Sequence, residues 1–388
     1  MDDVRYGVIG TGMMGVEHIA NLLALPGARV TAIADPHEPS RAQALATLGA
    51  EAAGVASFEH HHDLLASGAC DAVVVATPNH THVDVLLDVL QTDLPVLTEK
   101  PLCTTVSDCR RVIDVAAGRH ALVWVGLEYR YMPPVARLVQ EVHAGTIGRL
   151  HMIAVREHRF PFLVKVGDWN RFNRNTGGTL VEKCCHFFDL IHHVSGQRAV
   201  RVLASGGQDV NHLDEVYAGE RPDILDNAYV IVELDGGARG LLDLCMFAEA
   251  TRNQEELVAV GDRGKVEALV PDGVVRIGRR GTHWIGGVEE HRVADDRVAY
   301  EGFHHGSSYL EHFDFLAAVR DDLPPKVSLE DGLLAVAVGV AAHRSIDEGR
   351  PVTLAEVLGD SDSQSGRPGS HFGSQNLGAG GEGGVVGS

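Results

Sequence analysis

Paired cysteines, long apolar runs and positive charge are all scarce in this 388-residue sequence. The six cysteines form no CxxC motif and no small disulfide framework, which favours free thiols in a reducing compartment. No signal-peptide pattern precedes the first predicted strand. The longest apolar run near the C-terminus, Leu333 to Ala342, has ten residues, whereas a membrane helix needs about twenty. The sequence therefore predicts a soluble, cytoplasmic protein.

The charge balance is strongly acidic. Lys and Arg total 33 and Asp and Glu total 53, which gives a formal net charge of −20. Nucleic acids and membrane surfaces are polyanionic, so this balance disfavours both as general partners. No set of residues has zinc-like ligand spacing, and for the run His60–His62 we favour a solvated turn over a metal cluster. The predicted partner is therefore a small molecule, with no metal.

Short, almost wholly apolar runs alternate with helical stretches up to about residue 125. This rhythm indicates parallel strands buried on both faces, and so a doubly wound α/β fold of the Rossmann type over residues 1–125. The five predicted strands are Tyr6–Ile9, Val30–Ala34, Ala72–Ala76, Val96–Thr98 and Val123–Val125.

From residue 126 onward, strand-like runs follow one another without intervening helices. This pattern predicts a second α/β domain over residues 126–357, built on a large open and mainly antiparallel sheet. A helical pair, Tyr309–Val319 and Leu329–Glu348, closes the folded part. Residues 361–388 contain nine glycines among 28 positions and few apolar side chains, so we expect a disordered tail over residues 358–388.

A glycine-rich motif stands directly after the first predicted strand and opens a helix. Gly10 allows the tight turn, Gly12 lets a pyrophosphate approach the backbone, and Gly15 lets the helix pack closely on the strand. The helix N-terminus then presents free N–H groups to the phosphates. Together with Met13 and Met14, these glycines are predicted to bind a dinucleotide cofactor.

Asp35 ends the second predicted strand, about twenty residues beyond the motif. A carboxylate there accepts hydrogen bonds from the ribose hydroxyls and repels the 2′-phosphate of NADP, so NAD is the predicted cofactor. Arg41 is a nearby arginine that could hold a 2′-phosphate; a solvated helix residue is the favoured interpretation.

Three further segments complete a recognisable pattern. They are ATPNHTH at 76–82, TEKP at 98–101 and GGTLVEKCCHFFD at 177–189. With the N-terminal glycines, they resemble the Gfo/Idh/MocA oxidoreductases over roughly residues 4–357. The resemblance implies hydride transfer between a nicotinamide and a secondary alcohol carbon of a sugar or cyclitol. It also implies a second domain whose open sheet often mediates homo-oligomerisation.

The resemblance also assigns residues. Lys100 would reach both the nicotinamide ribose and the substrate, and His186 matches the catalytic histidine of the family. Glu182 stands where the family commonly has aspartate. The residues that would flank the cofactor are Thr77, Pro78, Asn79, His82 and Glu99.

The residue types suit alcohol oxidation, in which a base must take the hydroxyl proton. Histidine titrates near neutrality, and a lysine can act as the base if burial lowers its pKa or can stabilise an alkoxide while charged. Glu182 and His186 are four apart on a predicted helix, Leu180–Val194, and Asp189 continues their face. The predicted catalytic residues are Lys100, Glu182 and His186.

A locally basic segment precedes this helix. Residues 156–174 carry five basic and two acidic side chains, a net charge of +3. Arginines and lysines beside aromatic rings suit an anionic substrate, while ion pairing with the rest of the protein is the alternative. His304 and His305, which precede Tyr309, could also enter the pocket. The predicted substrate-binding residues are Lys165, Trp169, Arg171, Asn173, Glu182, Asp189 and Tyr309.

Two other functions use the same features. Some proteins of this fold resemble redox-neutral glycosidases, which oxidise the sugar ring, eliminate the aglycone, add water and return the hydride. A sulfoquinovosidase of this type would need a sulfonate pocket, which the basic segment could supply. The third possibility is a dinucleotide sensor or structural dimer, against which the presence of both Lys100 and His186 argues.

Overall fold

A six-stranded parallel sheet forms the N-terminal part of the protein, in a computed structural model that describes residues 2–281 and 287–359. The strand order is β3-β2-β1-β4-β5-β6, and every pair is parallel. The order reverses between β1 and β4, where sheets of this kind bind ligands at the carboxyl ends of their strands. The strands are β1 Val4–Ile9, β2 Ala28–Ala34, β3 Ala56–Phe58, β4 Ala72–Val75, β5 Val96–Glu99 and β6 Val123–Gly126.

This sheet confirms the Rossmann prediction. All five predicted strands are present, and all four residues of β4 are buried, as expected for a strand covered on both faces. The sequence missed β3, because three residues interrupted by Ser57 are too few to form a recognisable apolar run. The helices of this part are α1 Met13–Ala24, α2 Glu38–Leu48, α3 His61–Ala66, α4 His82–Val89 and α5 Val106–Ala116.

A nine-stranded sheet follows, with the order β14-β13-β12-β11-β7-β10-β9-β8-β15. Only β7 and β10 pair in parallel, so the prediction of a mainly antiparallel sheet is confirmed. Its strands are β7 Leu150–His158, β8 Ala199–Gly207, β9 Asn227–Leu234, β10 Arg239–Cys245, β11 Glu255–Gly261, β12 Gly264–Val270, β13 Val274–Arg279, β14 Glu289–Arg292 and β15 Val352–Thr353.

Helices cover one face of this sheet and also reach back to the Rossmann sheet. The helix α11 packs against β8 and α9, and on its other side against α5 and β6. Ser328 caps its N-terminus in a reciprocal hydrogen-bonded box with Asp331. The remaining helices are α6 Pro133–His143, α7 Asn173–Thr176, α8 Thr179–Glu182, α9 Cys185–Ser195, α10 Ser307–Asp321, α11 Leu329–Glu348 and α12 Leu354–Gly359.

The opposite face of the large sheet exposes a row of apolar side chains. Leu203 pairs directly with Ile231, and Ile231 pairs with Leu241, so the three lie side by side on one face. Tyr229 and Met152 extend the row and are 62% and 57% exposed. A contiguous apolar patch of this kind is typical of a protein–protein interface.

The chain is ordered slightly beyond the predicted start of the tail. Leu358 and Gly359 end α12, whereas the tail was predicted to begin at residue 358. Residues 360–388 of that tail lie outside the described part of the chain. Among the described residues, no helix has the length and apolar character needed to cross a bilayer.

Candidate active site

A cleft of about 800 Å³ opens at the carboxyl-terminal edge of the Rossmann sheet. Loops that follow β1, β2, β4 and β5 form one wall, since parallel strands bring their carboxyl ends to the same edge. Lys165, Trp169, Glu182 and Phe303 come from the part of the chain that follows the Rossmann sheet, and they complete the other wall. Predicted cofactor residues that line the cleft are Gly10, Gly12, Met13, Met14, Asp35, Thr77, Pro78, Asn79, Glu99 and Lys100.

The three motif glycines differ in what a side chain would meet. Gly10 has φ +87°, and a Cβ atom there would lie 2.6 Å from the backbone of Ala76. A Cβ atom on Gly15 would lie 2.0 Å from the carbonyl oxygen of Gly10, so Gly15 serves helix packing and does not itself line the cleft. A Cβ atom on Gly12 would meet nothing within 4 Å. Gly12 thus leaves bare backbone facing the cleft, which fits a pyrophosphate group.

Asp35 is fixed by the loop that carries the glycines. Its Oδ2 accepts from the amide of Thr11 at 2.7 Å, and its Oδ1 accepts from the amide of His37 at 2.8 Å. Each oxygen retains a lone pair for a ribose hydroxyl. Arg41 donates to the backbone carbonyl of Asp35, so its guanidinium is already engaged by the protein. This arrangement fits NAD.

His82 has a different role from the one the resemblance implied. Its Nδ1 lies 2.8 Å from the carbonyl oxygen of Pro101, and its Nε2 lies 2.9 Å from that of Thr77. The buried imidazole therefore joins the loops after β4 and β5 and does not line the cleft. Asn79 does line it, with its side-chain nitrogen lacking a hydrogen-bond partner among the described residues.

Lys100 and Glu182 meet at the inner end of the cleft. The Lys100 ammonium donates to the carbonyl oxygen of Glu182 at 3.3 Å. Burial alone would lower the pKa of Lys100, but acidic groups around it, including Cys185 and Glu99, raise it above its ordinary value. Lys100 is therefore a charged donor here, and the lowered pKa that would make it a base is not observed.

Glu99 and Glu182 are held differently. Glu99 accepts a hydrogen bond from His18 at 2.9 Å if that ring nitrogen carries the proton. Burial would raise the pKa of Glu99, but the bond and charge of His18 lower it to about 2. Burial raises the pKa of Glu182, although Lys165 and Lys100 oppose that shift.

The predicted helix Leu180–Val194 is interrupted. The single turn α8 ends at Glu182, and α9 begins at Cys185. Between them, Lys183 directs its ammonium into a buried ion pair, 3.0 Å from Glu157. Glu182 and His186 therefore do not share the face of one continuous helix, and Glu182 lines the cleft while His186 lies deeper.

His186 is buried and lies flat against Tyr129. The ring centroids are 4.0 Å apart and the ring planes 9° apart. Lys183 donates to the Tyr129 hydroxyl at 2.6 Å and so fixes that ring in turn. Burial, and then the charges of Lys100 and Lys183, hold the pKa of His186 well below its ordinary value. These effects favour the neutral imidazole, whose Nδ1 has no hydrogen-bond partner among the described residues.

Sequence reasoning missed Glu128 and only raised His304 as an option. Glu128 lies just beyond β6, and its Oε1 is 3.8 Å from Nε2 of His186 and 3.5 Å from Nδ1 of His304. A signal was available, because the carboxyl end of a parallel strand is where ligand-binding residues collect in such sheets. Glu128 stands three positions after the end of the predicted strand Val123–Val125.

The positive charge of the segment 156–174 is largely neutralised. Arg171 is buried and donates to Glu215 at 3.0 Å, and Arg159 lies 3.4 Å from Glu157. Arg156 and Arg174 pair with acids from elsewhere, Glu256 and Glu220. Only Lys165 of the five basic residues lines the cleft, so ion pairing explains most of this segment.

Three other predicted substrate residues also have different partners. Asn173 bonds Asp223 through its backbone amide and its side chain. Asp189 is buried and takes both hydrogen bonds of the Arg130 guanidinium fork. Tyr309 packs in the hydrophobic core of α10. None of the three lines the cleft, because protein groups already occupy their contacts.

The histidine run at the cleft rim is organised by one carboxylate. Nε2 of His61 and Nε2 of His62 lie 2.8 and 3.0 Å from the same oxygen of Asp88. His60 is exposed beside Glu59. Contact with Asp88 thus accounts for the positions of both His61 and His62.

Comparison with known proteins adds the following findings. Residues 4–127 match the model described as an oxidoreductase family, NAD-binding Rossmann fold, and residues 139–354 match its C-terminal alpha/beta domain. A myo-inositol 2-dehydrogenase of Thermotoga maritima is 29% identical over 92% of this chain and 100% of that protein.

Two further matches agree. An inositol 2-dehydrogenase of Saccharopolyspora erythraea is 30% identical over 90% of this chain and 96% of its own length. The crystal structure of a myo-inositol dehydrogenase from Corynebacterium glutamicum superposes with a TM-score of 0.72 at 22% identity, covering 91% of this chain and 99% of that one. At that identity, the superposition shows the shared fold.

Proposed function

The chain belongs to the Gfo/Idh/MocA family of NAD-dependent oxidoreductases, and from this premise we propose that it oxidises a secondary alcohol carbon of an uncharged cyclitol or sugar. The observation that carries the proposal is that Lys100 and Glu182 line the same cleft as the motif glycines and Asp35, with the buried His186 close enough for the charge of Lys100 to affect its pKa. Alcohol oxidation needs both a donor to the oxygen and an acceptor for its proton.

Each residue of the cleft has its own role in the proposed oxidation. When bound, NAD⁺ supplies the acceptor for the hydride that leaves the carbinol carbon. Lys100 donates a hydrogen bond to the substrate oxygen and stabilises the negative charge that develops on it. His186 accepts the hydroxyl proton, and Glu182 orients the substrate through its hydroxyl groups. Asp35 holds the adenosine ribose, and the bare backbone at Gly12 receives the pyrophosphate.

An uncharged substrate fits the site better than an anionic one. Four of the five basic residues of the segment 156–174 are paired with acids, and Lys165 shares the cleft with the carboxyl group of Glu182. The sulfonate pocket that a sulfoquinovosidase would need is therefore not favoured. The relatives named above act on inositol, which is an uncharged polyol.

The test is NADH formation by the purified protein on a substrate panel. The panel contains myo-inositol, scyllo-inositol, neutral hexoses, glucuronate and aryl glycosides, and NADH and free aglycone are read together. We expect NADH from a neutral polyol, with a loss of at least about hundredfold in kcat for Lys100→Met and His186→Ala. His193→Ala, on the same helix, is the control.

Three outcomes would contradict the proposal. Aglycone release without net NADH would establish the glycosidase instead. A clear preference for glucuronate would contradict the uncharged substrate. Full activity of His186→Ala would remove the assigned base.

We further propose that the protein is a homo-oligomer and works in the cytoplasm. The exposed row formed by Leu203, Ile231 and Leu241 supports self-association, because it leaves apolar side chains exposed on the face of the sheet that the helices do not cover. A second copy applied to this face would bury the row.

A further inference from the structure

Glu128 is exceptional among the buried acidic residues of the described chain. Nine Asp and Glu residues are buried, and seven of them have at least one side-chain hydrogen bond. The other two are Glu128 and Glu182. Glu182 lines the cleft, where a substrate can meet its carboxyl group. Glu128 shares the same lack of partners, with only about 1% of its surface exposed.

Burying a carboxyl group without hydrogen bonds is costly, so a fold rarely leaves one without a use. The imidazole nitrogens of His304 and His186 lie 3.5 and 3.8 Å from Oε1 of Glu128, at or beyond the limit of a hydrogen bond. By contrast, the buried Glu311 accepts from Trp124 at 3.2 Å.

The surroundings of Glu128 are those of the reaction site. The imidazole of His186 faces one of its oxygens, and the charge of Lys100 is close enough to influence its titration. His304 faces the same oxygen, and its chain neighbour Phe303 lines the cleft. The turn Gly302–His304 therefore links the cleft to this carboxyl group.

We propose that Glu128 is a substrate-binding residue whose carboxyl group bonds a hydroxyl group adjacent to the carbon that is oxidised. This assignment rests on the proposed polyol oxidation. A vicinal hydroxyl would give the carboxyl group of Glu128 the hydrogen-bond partner that it lacks among the described residues. The enzyme would therefore select polyols with two neighbouring hydroxyl groups.

The protonation state supports this role. Burial, and then the charge of Glu99, raise the pKa of Glu128 to about 8. Near neutral pH the group is a carboxylic acid, which both donates and accepts a hydrogen bond. A hydroxyl group also does both, so the two groups are complementary.

The experiment compares Glu128→Ala and Glu128→Gln on myo-inositol and on a set of monodeoxy-inositols, with NADH formation as the readout. We expect Glu128→Ala to raise KM for myo-inositol about 10- to 100-fold while kcat changes less. One deoxy analogue, which lacks the recognised hydroxyl, should react equally with the wild type and Glu128→Ala. Glu128→Gln keeps a donor and an acceptor and should stay within about fivefold of the wild type.

Glu311→Gln serves as the control, since it alters a buried carboxyl group that is bonded to Trp124. Thermal denaturation of each variant establishes that it is folded, and Glu128→Gln carries the test if Glu128→Ala is not. The assignment is overturned if Glu128→Ala impairs every deoxy analogue as much as it impairs myo-inositol, or if its KM is unchanged. In both cases the wild type still forms NADH, whereas failure of the proposed function would abolish NADH formation from all polyols.

Discussion

The imidazole of His186 and the phenol ring of Tyr129 are stacked, 4.0 Å apart and within 9° of parallel. Tyr129 is itself fixed through its hydroxyl, which accepts a hydrogen bond from Lys183. Lys183 is bound in turn to Glu157 on β7. The orientation of the proposed base thus depends on a buried ion pair anchored in the large sheet.

Replacing Tyr129 should therefore impair catalysis without removing any group that touches the substrate. We expect Tyr129→Leu to lower kcat about 10- to 100-fold with a smaller effect on KM, because His186 loses the surface that orients it. Steady-state kinetics at saturating NAD⁺ measure both constants. Tyr131→Phe is the control, since the Tyr131 hydroxyl has no hydrogen-bond partner among the described residues. A Tyr129→Leu variant with unchanged kcat would refute the orienting role.

The ion pair between Lys183 and Glu157 gives a second prediction. Lys183→Met should destabilise the protein by roughly 3–5 kcal/mol, because it leaves the buried Glu157 without its nearest cation. Adding Glu157→Gln should recover part of that loss, since the double variant no longer buries the Glu157 carboxylate without Lys183, although Arg159 loses its contact with that carboxylate. Urea denaturation of the two single variants and the double variant measures the coupling. If the losses in unfolding free energy of the two single variants simply add in the double variant, the predicted coupling is contradicted.

His343 should make the stability depend on pH on the acid side. Its Nε2 accepts a hydrogen bond from the amide of Leu180 at 3.1 Å, and burial lowers its pKa from 6.5 to about 4. Because the unfolded state binds the proton more tightly, this contribution is complete above about pH 6.5 and is lost as the pH falls through about 4.

His343→Gln keeps an acceptor for Leu180 and does not titrate. Between about pH 7 and pH 4, the wild type should lose on the order of 1–3 kcal/mol more than this variant in its free energy of unfolding. Denaturant unfolding at several pH values measures the difference. Parallel curves for the two proteins would show that His343 does not contribute.

The two glycines at the cleft should respond oppositely to alanine. A methyl group on Gly12 meets no protein atom within 4 Å, so Gly12→Ala should fold normally but bind NAD⁺ at least about tenfold more weakly. Gly10→Ala should destabilise the fold itself, because of its φ of +87° and the contact with Ala76. Melting temperature and NAD⁺ titration together separate the effects. Normal NAD⁺ affinity in Gly12→Ala would place the pyrophosphate elsewhere.

The exposed row on the large sheet predicts self-association. Ile231 is 43% exposed between Leu203 and Leu241, and Ile231→Asp should convert an oligomer to smaller species. Light scattering after size-exclusion chromatography measures the mass. Val216→Asp, an exposed apolar position outside the sheet strands, should leave the mass unchanged. A wild type that runs as a monomer would disprove the interface.

The cofactor side of the cleft could be predicted from the sequence. Gly10, Asp35, Thr77 and Lys100 each follow a buried parallel strand, and the topology of such a sheet gathers those positions at one edge. Their spacing along the chain was therefore sufficient to place them together. His82 was the exception. The carbonyl groups of the two loops around it fix the position of its buried imidazole, and the sequence does not show those contacts.

The substrate side of the cleft could not be predicted in the same way. The charge of the segment 156–174 was counted correctly, but Arg171 finds its acid 44 positions away at Glu215. Asp189 is likewise bound by Arg130, from the loop after β6. Helical periodicity also joined Glu182 to His186, since it carries no information about the pairing of Lys183 with Glu157. Each of these facts depends on tertiary contacts between distant strands and loops.

The imidazole of His82 spans two loops that serve different molecules. One carries Thr77 on the cofactor wall, and the other carries Lys100 at the substrate end, with carbonyl groups of both bracketing the same ring. The positions of Thr77 and Lys100 relative to one another thus depend on a single buried side chain that belongs to neither wall of the cleft.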